Sequence, residues 1–254
     1  MRVGVYGAGG LGGYFGGRLA EAGEEVALIA RGEHLEAIRA NGLKVESYLG
    51  DTWVTRPSIV TDNPSDVGPV DVVLVCTKAW DVETAAKAMR PMMGPQTTVV
   101  PVQNGVEAPD QLGEVLGRDR VIGGVCNIAS RIGGVGFIKH TFSVDPNLKL
   151  GELDKKPSSR VQDLKHVLEE AKLSVEISED ILAAMWEKFL LFAPAVGIGC
   201  VTRAPTGIWR SVPEAMALFE KALLEVHAVA EARGVKLNDD AIARVRDIVE
   251  KVPE

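Results

Sequence analysis

Apolar segments alternate with amphipathic segments over the first part of the chain. The runs Val3–Tyr6 and Val26–Ala30 are almost continuously apolar, and the segment between them, Leu11–Ala22, is amphipathic. Further apolar runs cover residues 70–77, 97–102 and 121–126, and helix-compatible segments cover residues 82–90 and 109–116. Near-continuous apolar strands between helices are typical of a parallel sheet that is covered on both faces. The pattern therefore predicts an α/β domain.

The pattern changes in the second half of the chain. We expect short antiparallel strands at the edge of the sheet over residues 133–136, 137–140 and 148–151. From about Ser178 the strand signals stop, and Ser178–Asp180 can cap a helix that passes through Trp186 and Lys188. Further helices are predicted over residues 213–233 and from residues 238–240 onward. We therefore predict an α/β domain over residues 1–177 and an all-helical domain over residues 178–254.

A glycine-rich segment joins the first predicted strand to the first predicted helix. It consists of Gly7, Ala8, Gly9, Gly10, Leu11 and Gly12. In a dinucleotide-binding unit of the Rossmann type, the first glycine allows the tight turn, the second admits the pyrophosphate and the third lets the helix pack on the strand. The helix N-terminus then offers N–H groups to the phosphates. A glycine turn can also be purely structural, but its position between a strand and a helix closed by Gly23 favours binding.

Arg31 ends the second apolar run, where a dinucleotide-binding unit selects its cofactor. An NAD site usually has a carboxylate there, which holds the ribose hydroxyls. A guanidinium instead suits the additional 2′-phosphate of NADP, because its planar fork of donors matches a phosphate. Arg31 alone could be a solvated loop residue. In this position it predicts NADP(H) as the cofactor.

Two polar clusters follow the next strands of the predicted sheet. Lys78 comes after the run at residues 70–77, and Asn104 comes after the run at residues 97–102. Asn104-Gly105 can be a simple turn and Lys78 an ordinary surface lysine. Together, at corresponding strand ends, they favour contact with a ligand, because open α/β sheets bind ligands beyond the carboxyl ends of their strands.

Composition narrows the class of protein. With 46% hydrophobic residues the chain can build a substantial core, and a net charge of −7 with dispersed Lys and Arg argues against a nucleic-acid partner. No apolar run is predicted to be long enough to span a membrane, and the N-terminus enters a strand without a signal peptide. We therefore expect a cytoplasmic protein with no membrane partner.

The cysteines and histidines indicate no metal site. Cys76, Cys126 and Cys200 lie among apolar residues without metal-binding spacing, and the four histidines are scattered. Reduced, buried thiols are the expected state of the three cysteines.

Several of these segments resemble the ketopantoate reductase (2-dehydropantoate 2-reductase) family, and the similarity extends over essentially the whole chain. They are GAGGLG, LIAR followed by Gly32, CTKAWD, QNGVE and the triplet at residues 186–188. The resemblance implies reduction of the ketone of a 2-oxo acid with NADPH, as in pantothenate biosynthesis, and a possible homodimer. It implies that residues 7–12 hold the pyrophosphate, that Arg31 holds the 2′-phosphate and that Lys78 and Asn104 line the cofactor and substrate cleft. It also places Ala129 at the nicotinamide end.

The resemblance assigns Lys188 as the catalytic residue, with Asn104 and Thr206 also contacting substrate. An ammonium can stabilise the charge that develops on a reduced ketone oxygen and then donate its proton. Lys188 could otherwise be a helix-surface lysine, and Trp186 is expected to be a packing residue. Phe192, Val196 and Thr206 stand where the family has substrate-binding asparagines. The family also implies a further C-terminal segment that supplies a serine and a glutamate.

Two hypotheses follow for the function. The first is an NADPH-dependent 2-oxo acid reductase, with either 2-dehydropantoate or a different 2-oxo acid as substrate. The second is a non-catalytic protein that binds NADP and has lost turnover. Lys188 favours the first hypothesis, whereas the replaced asparagines favour the second.

Overall fold

The computed structural model describes residues 1–252 and divides the chain into two compact units. The units are Met1–Ile181 and Leu182–Glu254. Residues 253–254, the end of the predicted helical domain, lie outside the described residues. The first unit thus ends slightly beyond the predicted domain boundary at residue 177.

The first unit contains both strands and helices. Its strands are β1 (Arg2–Tyr6), β2 (Glu25–Ile29), β3 (Leu43–Ser47), β4 (Thr52–Thr55), β5 (Ile59–Thr61), β6 (Val70–Val75), β7 (Met93–Pro101), β8 (Ile122–Gly134), β9 (Phe137–Glu152) and β10 (Val175–Ile177). Its helices are α1 (Gly10–Glu21), α2 (Gly32–Asn41), α3 (Val82–Ala88), α4 (Ala108–Leu116) and α5 (Ser159–Glu170).

A parallel sheet with the strand order β5-β2-β1-β6-β7 forms the centre of the first unit. Alternate residues of its strands point to opposite faces, so both faces are apolar. Val3 and Val5 pack on one side with Phe15 of α1, whereas Tyr6 packs on the other side with residues of α3 and α4, such as Leu112. The predicted α/β fold of the Rossmann type is confirmed.

A second sheet corrects part of the sequence prediction. Strands β8 and β9 form a long antiparallel hairpin, and the sheet continues with the order β10-β9-β3-β4. Residues 133–151 are therefore not short strands at the edge of the parallel sheet. The run at residues 121–126 also belongs to the second sheet, apart from a single parallel bridge between Val99 and Val121.

Helices make up the second unit in the part of the chain that the structure describes. Helix α6 (Ile181–Thr202) starts at the boundary, and α7 (Thr206–Trp209), α8 (Pro213–Ala232) and α9 (Ala241–Glu250) follow. Trp209 and Phe219 are buried together, with ring centroids 5.3 Å apart. The predicted all-helical second domain is confirmed as a fold class.

Helix α6 is long and apolar enough to cross a membrane, judged by length and composition alone. The expectation that no apolar run reaches this length was therefore wrong. The finding is weak evidence for a membrane, because core helices of water-soluble proteins meet the same criterion.

A buried polar cluster lies where α1 meets the second sheet. His140 of β9 is 1% exposed, and its Nδ1 shares a hydrogen bond of 2.9 Å with Ser47 Oγ. Its ring lies 4.2 Å from that of Tyr14, and the buried Arg18 guanidinium lies 3.9 Å from the Trp53 ring centroid. Burial lowers the pKa of His140 below its ordinary value, and the charge of Arg18 acts in the same direction. The fold thus keeps this imidazole neutral.

Acidification should destabilise the protein through His140. The unfolded chain protonates this imidazole near a pKa of about 6.5, whereas the folded chain protonates it only at lower pH. The unfolded state therefore binds more protons in that window, and the free energy of unfolding falls as the pH drops below about 6.5. Urea unfolding at about pH 7.5 and about pH 5.5 measures this loss. The loss of stability should be smaller in His140→Gln. It should equal the wild-type loss in His166→Gln, at an exposed position on α5. Equal losses in wild type and His140→Gln would contradict this account.

Candidate functional site

The carboxyl ends of four neighbouring parallel strands carry most of the predicted site residues. The glycine turn follows β1, Arg31 follows β2, Lys78 follows β6 and Asn104 follows β7. Because these strands are adjacent and parallel, their carboxyl ends lie along one edge of the sheet. The structure therefore brings these residues to the edge at which open α/β sheets bind nucleotides.

The glycine turn is closed on one side and open on the other. Gly7 has a φ of +104°, and a Cβ at Gly12 would stand 2.1 Å from the Gly7 carbonyl oxygen, so a larger residue would push α1 away from the turn. A Cβ at Gly9, in contrast, would meet nothing within 4 Å. Helix α1 begins at the next residue, with Gly9 as its N-cap. The open backbone at a helix N-terminus fits a pyrophosphate.

Strand β8 passes directly beside this turn. A Cβ at Gly10 would stand 2.4 Å from the Ser130 carbonyl oxygen, so the two backbones are in close contact. The neighbouring Ala129 is exposed, and its carbonyl accepts a hydrogen bond of 3.0 Å from Thr141 Oγ1. Its strand does not end near Cys126, as the sequence suggested, but continues to Gly134. The structure nevertheless places Ala129 next to a residue that touches the glycine turn.

Arg31 is exposed and is the N-cap residue of α2, with extended backbone angles. Its guanidinium lies near the phenol of Tyr6, the last residue of β1, closely enough to influence the pKa of that phenol. Burial raises the pKa of Tyr6, and the charge of Arg31 offsets part of that rise. The buried phenol thus lies near the arginine, on the strand that leads into the glycine turn. The sequence analysis missed this partner, because only the pairing of β1 with β2 shows that the two residues are neighbours.

Removing the Tyr6 hydroxyl should weaken the selectivity for NADPH over NADH. Tyr6→Phe leaves the core volume nearly unchanged but removes one contact that orients Arg31, so we expect the ratio of the two affinities to fall about three- to tenfold. Titration calorimetry with each cofactor measures this ratio. Tyr14→Phe is the matched control, because it removes another phenol oxygen that contacts a different arginine, Arg18. An unchanged ratio in Tyr6→Phe would show that Arg31 needs no such partner.

His34 is a second residue that the sequence analysis did not assign to the site. It lies in the first turn of α2, and its Nδ1 accepts a hydrogen bond of 3.0 Å from the backbone N–H of Gly136. Burial lowers the pKa of His34, and the nearby Ala8 backbone opposes this change. The imidazole therefore links α2 to the turn of the β8–β9 hairpin. No local pattern indicates this role, because Gly136 lies about a hundred residues further along the chain.

The loops after β6 and β7 are joined by a hydrogen bond. Gln103 Nε2 donates to Thr77 Oγ1 over 3.4 Å, and each of these residues directly precedes a predicted site residue. Lys78 and Asn104 are both exposed, and Trp80, in the short turn after Lys78, is 80% exposed. These side chains are thus presented at the sheet edge rather than used in the core.

The predicted catalytic residue lies on α6. Lys188 Nζ is 5.1 Å from the centroid of the Phe192 ring, one helical turn further along. Trp186 is buried and packs edge-on against Phe189, as expected for a packing residue. Glu187 accepts a hydrogen bond of 2.6 Å from Asn238 Nδ2. The hydrogen bond of Glu187 thus joins α6 to the segment that precedes α9.

Thr206 does not share a helix with Lys188. It is the first residue of α7, preceded by Pro205, and is partly buried. Arg203, in the connection before α7, has a φ of +55°, which is uncommon for a residue other than glycine.

The cysteines and potential metal ligands show no shared site. Within residues 1–252, no three His, Cys, Asp or Glu residues are arranged to hold a metal ion. Cys126 is buried and Cys76 is partly buried, and desolvation raises the pKa of the Cys76 thiol. Cys200 on α6 is exposed, so the prediction of three buried thiols is wrong for that residue. Its neighbours in the sequence are apolar, but its side of α6 is exposed, which the sequence alone does not show.

Comparison with known proteins identifies the family. Residues 3–155 match the family described as "Ketopantoate reductase PanE/ApbA", and residues 180–254 match its C-terminal domain. The chain belongs to the ketopantoate reductase family. A 2-dehydropantoate 2-reductase of Halobacterium salinarum is 32% identical over 253 residues, which cover 98% of this chain and 81% of that protein.

Solved structures of ketopantoate reductases agree with this assignment. The 2-dehydropantoate 2-reductase from Porphyromonas gingivalis W83 has a TM-score of 0.91 at 30% identity, covering 99% of this chain and 89% of that one. The ketopantoate reductase from Ralstonia eutropha has a TM-score of 0.89 at 34% identity, covering 99% and 81%. Ketopantoate reductases are dinucleotide-binding oxidoreductases, so the glycine turn lies in a fold that relatives of this chain use to bind a dinucleotide.

Proposed function

We propose that this chain is an NADPH-dependent reductase that converts a 2-oxo acid into the 2-hydroxy acid. The observation that carries the proposal is Arg31, an exposed guanidinium at the end of β2 beside an open glycine turn. That pair suits a dinucleotide with a 2′-phosphate. Membership of the ketopantoate reductase family supplies the reaction class. Its relatives are reductases by name, and we propose a cytoplasmic location for this chain.

The residues at the sheet edge would hold the cofactor. N–H groups at the start of α1 would bind the pyrophosphate beside Gly9, where the backbone is open. Arg31 would bind the 2′-phosphate while Tyr6 limits its movement. Lys78, Asn104 and the exposed Ala129 are the remaining candidates for cofactor contact. NADPH, when bound in this way, supplies a hydride.

Lys188 would supply the proton. As the ketone carbon of the substrate is reduced, negative charge develops on its oxygen, and an ammonium at Lys188 Nζ stabilises that charge. The same group then donates its proton to the oxygen, which completes the hydroxyl of the product. Asn104 and Thr206 are proposed to contact the substrate through an amide and a hydroxyl. The reaction thus consumes one hydride and one proton for each ketone.

NADPH oxidation by the purified full-length chain, against a panel of 2-oxo acids, tests this proposal. We expect turnover with at least one acid, and faster turnover with NADPH than with NADH. The alternative is a non-catalytic NADP-binding protein, which would bind NADPH in calorimetry but oxidise it with no acid of the panel. Absence of NADPH binding would contradict both functions.

A further inference from the structure

Helix α6 carries an exposed strip that begins beside Lys188. Phe192 and Val196 follow Lys188 at intervals of four residues, so the three side chains lie on one helix face. Ala195 and Gly199 share that face and contain no polar side-chain atom. We refer to Phe192, Ala195, Val196 and Gly199 as the apolar strip.

The apolar strip is not part of the core of the second unit. Phe192 is 39% exposed and Val196 is 56% exposed, whereas Leu190 and Ile198, on the other side of α6, are buried. Covering large exposed apolar side chains with an apolar ligand group lowers the free energy, because it removes apolar surface from water. The strip therefore offers a surface that favours apolar groups.

The lysine at one end of the strip restricts the chemistry of its ligand. Lys188 Nζ lies 5.1 Å from the centroid of the Phe192 ring, so a positive charge and an aromatic surface are immediate neighbours. A ligand that contacts both must place an oxygen with negative charge at the ammonium and an apolar group on the strip. A 2-oxo acid with a branched or aromatic hydrocarbon side chain meets both requirements.

We propose that the apolar strip binds the side chain of the substrate and selects 2-oxo acids whose side chain is bulky and carries no hydroxyl. This inference rests on the proposed function and names its substrate class. A hydroxyl placed against the strip would lose its hydrogen bonds to water and find no side-chain partner there. An enclosed apolar pocket discriminates against an added hydroxyl by about a hundredfold, and we expect about tenfold or more from the strip.

Ketopantoate and trimethylpyruvate form a matched pair of substrates, because they differ by a single hydroxyl. We expect kcat/KM of the full-length chain to be about ten times higher, or more, for trimethylpyruvate. Phe192→Asn places an amide on the strip and should reduce or reverse this preference with the NADPH affinity unchanged. Phe192→Leu keeps the position apolar and should preserve it.

Val201→Asn is the matched control for Phe192→Asn. Val201 is 78% exposed and lies half a turn around the same helix, so this variant should leave the substrate ratio unchanged. A wild-type preference for ketopantoate of about tenfold or more, or equal shifts in Phe192→Asn and Val201→Asn, would overturn the strip proposal alone. A Phe192→Asn variant that alters the oligomeric state but not the ratio would identify the strip as an interface between copies and overturn it too. Failure of every 2-oxo acid to oxidise NADPH would instead remove the proposed function, and this inference with it.

Discussion

Replacing Lys188 with alanine should lower the rate of hydride transfer by about 100-fold or more while NADPH binding stays nearly unchanged. The proposed role of the ammonium is exerted on the substrate oxygen, whereas the residues that would bind the dinucleotide lie at the edge of the parallel sheet. The variant should therefore change the rate of hydride transfer without changing the affinity for NADPH. Single-turnover measurements with preformed NADPH complex give the chemical rate, and calorimetry gives the cofactor affinity.

Two further variants isolate the charge of Lys188 from its other properties. Lys188→Met retains an unbranched apolar stem that can still contact Phe192, so it should be as slow as the alanine variant if the ammonium is what matters. Lys221→Ala removes an exposed lysine from α8 in the same unit and should retain the wild-type rate. A near-normal rate in Lys188→Ala would show that this lysine is a surface residue.

Arg31→Ala should weaken NADPH binding by about ten- to a hundredfold and leave NADH binding almost unchanged. A charge-assisted hydrogen bond to a phosphate contributes about 1.5–3 kcal/mol, and the 2′-phosphate is the group by which the two cofactors differ. Calorimetric titration of wild type and variant with each cofactor gives the four dissociation constants. The loss should diminish as the salt concentration rises, because salt screens an exposed guanidinium.

Arg39→Ala provides the control for the loss of one positive charge from α2. Arg39 is exposed near the end of the helix, where its guanidinium contacts the Val60 carbonyl and Glu36. Replacing it should leave the ratio of the NADPH and NADH affinities unchanged. If wild type binds NADPH and NADH equally well, Arg31 does not recognise the 2′-phosphate, and the assignment of NADP fails.

Local patterns in the sequence were sufficient to predict four strands of the parallel sheet, β1, β2, β6 and β7, but not its edge strand β5. The four predicted strands contain apolar runs, and each is followed by turn residues and a helix, so their order follows from neighbouring residues. The second sheet could not be predicted in this way. Strand β3 pairs with β9 across about a hundred residues, and the partly exposed β4 pairs only with β3, so neither strand has a distinctive local pattern.

The same distinction applies to the candidate site. Arg31 and the glycine turn were predictable, because a short stretch of chain contains both the motif and its context. Tyr6 and His34 were not predictable, because their roles depend on contacts across strands and with a hairpin turn a hundred residues away. The pair formed by Lys188 and Phe192 on α6 was predictable only in part. Their spacing was visible in the sequence, but the exposure of Phe192 required the structure.

The contact between Gly10 and Ser130 also has a consequence for how the chain acquires its binding capacity. These residues are far apart in sequence, and closing such a contact costs conformational entropy, so we expect this contact to form slowly. The glycine turn therefore has its final surroundings only once the β8–β9 hairpin has docked against it. We expect a refolding chain to regain helical circular dichroism first and its affinity for the dinucleotide only afterwards.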